Sequence, residues 1–156
     1  MDAVGILRWG HDWLMRQVSG MPEAGWAEPA VGTWSARDVL AHLSSYELLL
    51  SEVLAPFVGE TVPTTLLSRY DDGFNDREVD ARAGTPWRDV LAEYREAHER
   101  AMAIAVRMPA GVWPQVGTIP WYGAEYALDD LLVFQWYGHK REHGAQIAAA
   151  KDRAGG

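Results

Sequence analysis

Apolar residues return every three or four positions along four stretches of this chain, the spacing of one buried helix face. The first covers about residues 3 to 19, with Val4, Leu7, His11, Leu14, Met15 and Val18 on one side. Gly20 and Pro22 follow it, in the order favoured beyond a helix end. The second opens at "TWSARDVLAHL", where Ser35 and Asp38 form a capping-box-like pair, and runs to about Ala55 before Pro56. Its stripe is Val39, Leu43, Tyr46, Leu50, Val53 and Leu54. The third begins at "TPWRDVLAEY", with Thr85 as cap and Pro86 at the first helical position, and reaches about Arg107. The fourth spans about Ala124 to Ala150, and the tail "KDRAGG" is expected to fray.

Residues 57 to 84 break the periodicity with many turn formers and hold at most a short helix. Connections of that length are uncommon unless they cover something. A second irregular stretch, "PAGVWPQVGTIPWYG", leads into the last helix. No strand pair and no internal repeat stands out. The expected fold is all-α, a four-helix bundle formed by one domain over residues 1–156.

Composition narrows the function. The 156 residues carry a net charge of −8 with no local basic run, which disfavours phosphate backbones and excludes a nucleic-acid partner. With no cysteine there are no disulfides, thiolate metal sites or Cys nucleophiles. The first segment is broken by Asp2, Arg8, His11 and Asp12, and is neither a signal peptide nor a membrane span. These features point to a soluble, cytoplasmic protein without a membrane partner.

The chemistry gathers in "QWYGHKREHGAQIAAA", residues 135 to 150. His139 and His143 lie four apart, on one helix face that continues Leu128, Leu132 and Trp136 toward Ile147 and Ala150. That face points inward. Buried neutral imidazoles need partners, and this pair alone fits a divalent metal or hydrogen bonds to carboxylates and waters equally well. A third ligand decides between them, and His42, at the edge of the second stripe, is the candidate, although alone it reads as a satisfied core histidine. Three histidines with an open fourth position form a catalytic zinc arrangement. His11 and His98 read as core or cavity-lining residues. "HKREH" matches the inverted zinc-protease signature, but too little chain follows for a downstream ligand, so Glu142 reads as solvated.

"GTWSARDVLAHLSSYE" and "YGHKREHGAQI" resemble the second and last helices of the DinB/YfiT-like superfamily, and "YDDGFNDREVDARAGTPWRDVLAEYREAHERA" resembles its middle portion. The resemblance implies a DinB-like bundle in up-down-down-up order, often homodimeric. It places the three metal-ligating histidines at His42, His139 and His143. It also implies relationship to bacillithiol-dependent S-transferases, mycothiol-dependent maleylpyruvate isomerases and toxin-resistance proteins. The expected function is that of a metal-dependent enzyme acting on a small molecule, as thiol S-transferase or hydrolase, with zinc or nickel as the divalent ion. The substrate side would include a low-molecular-weight thiol. No catalytic base is assigned. Glu47 and Gln146 are candidates to orient a ligand, Glu47 being as readily a surface charge, and Trp34, Trp121, Tyr122, Trp136 and Tyr137 are candidates to wall a pocket. The alternatives are a non-catalytic protein that sequesters a small molecule or metal, and a scaffold whose histidines only hydrogen-bond.

Overall fold

The computed structural model describes residues 1–155 and is predominantly helical. Its long helices are α1 (Ala3–Val18), α2 (Ala36–Leu54) and α4 (Trp87–Ala105), with the short α3 (Phe74–Asp80) inside the long connection. The C-terminal helical arm comprises α5 (Leu128–Leu132), a π-helical stretch (Val133–Gly138) and α6 (His139–Arg153). α2 packs chiefly on α4, and α1 chiefly on α6. Among the described residues no helix is long and apolar enough to cross a membrane.

The start of α2 follows its sequence signal. Asp38 N donates to Ser35 Oγ at 3.2 Å and Ser35 N donates to Asp38 Oδ2 at 3.0 Å, a reciprocal capping box. Other expectations are corrected. A short antiparallel ribbon, β1 (Pro29–Val31) with β2 (Trp34–Ser35), precedes α2, turning at Gly32 with φ 55°. Strands of three and two residues are too brief to show alternation. α4 begins at Trp87, because Pro86 is still extended at ψ 146° and no side chain caps the helix, so Thr85 is not its cap. The last helical segment begins at Leu128 rather than Ala124, with Ala127 N donating to Asp130 Oδ2 at 2.9 Å. The expected fraying at 151–156 does not occur over Lys151–Arg153, which remain helical. Lys151 Nζ donates to the Ser19 carbonyl at 3.0 Å and Arg153 donates to that of Pro29. Gly156 lies outside the described residues.

The apolar core is divided. One cluster includes Leu7, Leu50, Leu54, Phe74, Ala101, Ile104, Leu128, Leu132 and Trp136. The other includes Leu14, Leu40, Leu43, Val90, Tyr94, Ile147 and Ala150. Between them sit His11 of α1, His42 with Glu47 of α2, His98 of α4, and His139 with Lys140 and His143 at the start of α6. All five histidines of the chain belong to this belt. Such an interruption of an apolar core is costly unless the polar groups satisfy one another or hold a ligand.

Candidate metal centre

α2 contributes His42, which is 1 % exposed, and the α6 turn contributes His139 and His143. One nitrogen from each of the three rings lies within 4.8 Å of the others. His42 Nε2 and His139 Nε2 are 2.7 Å apart, close enough to share a proton. Tetrahedral coordination at about 2.0–2.1 Å separates ligand nitrogens by about 3.3 Å, so an ion would part these rings by a few tenths of an ångström. His143 Nδ1 donates to Gln146 Oε1 at 2.7 Å, which fixes the tautomer and leaves Nε2 with its lone pair free. Among the described residues, the buried Nδ1 atoms of His42 and His139 have no hydrogen-bond partner.

Burial pushes the His42 imidazolium down to about 2, assisted by the neighbouring His139 and His143. Burial likewise lowers His139 to about 3, with His143 and Lys140 acting in the same direction. Both rings are therefore neutral lone-pair donors at physiological pH, the form that binds a metal. Convergent and partly unsatisfied, this donor set could hold a divalent metal ion.

Aromatic rings enclose the trio. The Trp34 ring centroid lies 5.0 Å from that of His42, and Tyr46 lies 4.9 Å from His42 and 4.5 Å from His139. Burial and a contact with Tyr70 raise the Tyr46 phenol, which stays protonated and donates to Asn75 Oδ1 at 3.2 Å. His143 opens onto a cavity of about 230 Å³ lined also by Val31, Gly32, Thr33, Trp34 and Asp76. The ribbon missing from the sequence-based reading thus forms one wall of the approach.

The other candidates fall elsewhere. Trp136 is buried and donates from Nε1 to the Tyr46 carbonyl at 2.9 Å, bracing α2 against the π stretch. Trp121 stacks edge-on against Tyr70, Tyr122 packs at the rim of the first core cluster, and Tyr137 faces Gly10 of α1. Glu142 is exposed. Glu47 is fully buried rather than a surface charge, and its partners are His98 and Lys140 rather than a member of the trio. His98 Nδ1 donates to Glu47 Oε2 at 2.7 Å, and His11 stacks on His98 with centroids 3.9 Å apart. Burial alone would raise the Glu47 carboxyl; Lys140 and His98 outweigh it and hold the group well below the usual carboxylate range.

Lys140 was not singled out by the sequence, yet its side chain is only 2 % exposed. The signal lay in the spacing Leu132, Trp136, Lys140, four residues per step, which a π turn keeps on one face. That extra residue per turn puts Lys140 at the centre of the inward face and leaves His139 on its flank, half-buried.

The profile of the family described as mycothiol maleylpyruvate isomerase N-terminal domain matches residues 7–132. The match includes His42 and stops before His139 and His143. No curated protein and no solved structure matches the chain. Capped α2 with its histidine, the interrupted core and a profile match over most of the length agree: the chain belongs to the mycothiol maleylpyruvate isomerase N-terminal domain family, within the DinB/YfiT-like superfamily.

Proposed function

We propose that this protein is a divalent-metal-dependent enzyme that activates a small thiol or water for transfer or hydrolysis, with His42, His139 and His143 as metal ligands. The observation that carries this reading is the convergence of three ring nitrogens within 4.8 Å from two separate parts of the chain. Bound there, zinc or nickel supplies Lewis acidity that lowers the pKa of a coordinated water or thiol and yields a nucleophile near neutral pH. The chain does the rest. Gln146 holds the His143 tautomer, Trp34 and Tyr46 shield the rings from bulk water, and the cavity beside His143 admits the reacting partner. Family membership supports a low-molecular-weight thiol, mycothiol-like, as cosubstrate.

The proposed architecture is a single domain with the bundle in up-down-down-up order. Its support is the order in which the helices meet the two core clusters: α1 and the α5–α6 arm run from the Leu7 cluster to the Leu14 cluster, α2 and α4 the opposite way. A homodimer finds apolar surface in Trp9, 64 % exposed, and Phe134, 61 % exposed, on the adjoining α1 and π stretch.

The test is elemental analysis of purified protein beside His42→Ala, His139→Ala and His143→Ala, followed by thiol-transfer and hydrolysis assays. Metal bound by the native chain and lost in each variant is the expected result. Unchanged stoichiometry in all three variants rejects the site. Metal binding with stable ligand capture but no turnover replaces the enzyme with a sequestering protein.

A further inference from the structure

Two consecutive residues of α2 grip the C-terminal arm on either side of His139. The Tyr46 carbonyl accepts from Trp136 Nε1 at 2.9 Å, inside the π stretch, and Glu47 Oε1 meets Lys140 Nζ at 2.6 Å. The other oxygen of Glu47 accepts from His98 Nδ1 at 2.7 Å, so both ends of the buried carboxylate are engaged. α1 passes close over the stem of Lys140, where a Cβ on Gly10 would lie 3.5 Å from Lys140 Cδ.

Stability alone does not account for such a pair. Taking two charges out of water costs about as much as their attraction returns, and apolar replacements of similar volume are commonly neutral or stabilising. The place of the pair in the fold accounts for it better. The π stretch adds one residue to the helical path between α5 and α6, about 100° of rotation. An α-helix carried straight on from α5 would turn Lys140 by that angle away from the inward face and bring His139 to its centre. With the extra residue the order is reversed. Lys140 is buried, and His139, half-buried on the flank, brings its Nε2 to 2.7 Å from that of His42.

We propose that Glu47 and Lys140 are positioning residues for the metal centre: their ion pair holds the π stretch against relaxation to an α-helix and thereby sets His139 beside His42. The inference rests on His42, His139 and His143 being the metal ligands, and it assigns the pair no contact with the ion. Glu47 lies five residues beyond His42 on α2. The helix that supplies one ligand thus fixes the register of the helix that supplies the other two.

The double variant Glu47→Gln with Lys140→Met removes one charge of each sign. Net charge around the trio is unchanged, so a change in zinc affinity reads the position of the ligands. The variant is expected to keep most of the native urea stability when metal-free, because the new amide still accepts from His98. Chelator competition should nonetheless show zinc bound at least about tenfold more weakly, the loss typical when a group that orients a ligand is removed. A crystal structure of the metal-free double variant reads the register without an ion: His139 is expected to leave His42 and the π stretch to be lost. Retention of the π stretch and of the His42–His139 approach, or zinc affinity equal to that of the native chain, overturns the positioning role. If the double variant does not fold, Glu47→Asp decides, since it keeps both charges and shortens the reach by one methylene. Weaker zinc binding there supports the role, and unchanged affinity overturns it. A native protein that binds no zinc rejects the metal centre itself and this role with it, a result distinct from the others.

Discussion

Glu47 of α2 and Lys140 of α6 approach to 2.6 Å with side chains 0 % and 2 % exposed, an ion pair sealed inside the bundle. Among the described residues the ammonium makes no well-directed hydrogen bond; besides Glu47 it meets only the face of the Tyr94 ring, 5.7 Å from its centroid, so it depends on Glu47 for its charge balance. Removing one member of a buried pair strands the other, typically a loss of about 3–5 kcal/mol. Lys140→Met and Glu47→Gln are therefore each expected to destabilise by that order. The double variant should recover a large part of it, because the amide that replaces the Glu47 carboxylate still accepts from His98 while no charge is left uncompensated. Urea unfolding followed by Trp fluorescence measures all three; additive losses in the double variant contradict the pairing.

Gln146 acts on His143 from one turn away through its 2.7 Å hydrogen bond. Outer hydrogen bonds of this kind set ring orientation and basicity, and their loss typically weakens metal binding about 10–100-fold. Gln146→Leu should show that drop in a competition titration against a zinc chelator, with little change in the urea midpoint of the metal-free protein. An unaltered zinc affinity would mean that the contact does not serve the site.

Acid should unfold the metal-free protein cooperatively. His42 and His139 have folded values of about 2 and 3, below the ordinary 6.5, so the unfolded chain binds the extra protons first. Their contribution is complete above about pH 6.5 and falls as pH drops toward the folded values, by up to about 1.4 kcal/mol per pH unit for each ring. His11, lowered to about 4 chiefly by burial, acts in the same direction. Glu47, held below its usual 4.5, adds a loss that begins only near that value. Stability measured in chelator from pH 8 to 4 should be flat at first and then decline. His42→Gln should shallow the slope between pH 6.5 and 4.5.

Gly144 lets α6 lie close against α1. A Cβ there would come within 2.0 Å of the Trp13 ring, which is itself covered by Arg141 at 4.3 Å. Gly144→Ala forces the ring or the helix aside, an overpacking change of about 1–3 kcal/mol despite the better helix propensity of alanine. Because the displaced turn carries His143, zinc affinity should fall together with the thermal midpoint. Trp13→Ala in the same background should restore part of both.

Much of the fold was legible because helical periodicity is local. The Val39 to Leu54 stripe and the Ser35–Asp38 box placed α2 within a residue of its observed ends. The four-residue spacing of His139 and His143 likewise announced a shared face. What failed was equally local in origin. Thr85 followed by Pro86 looks like a helix start, but nothing in the sequence says that Pro86 remains extended. The strands of three and two residues beside Trp34 are too short to carry an alternation.

Local signals were enough for the long helices, for the box that fixes where α2 begins, and for the presence of histidine at inward positions on each of them. Covalent order and side-chain period suffice there, since they act within a few turns. Which histidines meet depends instead on how the helices pack: His42 joins His139 and His143, whereas His98 turns to Glu47 and His11 stacks on His98. That partition depends on the π turn at 133–138, which rotates α6 so that Lys140 enters the core opposite Glu47. A 3.6-residue period cannot reveal such a turn, because it arises where contacts from another helix outweigh the local hydrogen-bond ladder.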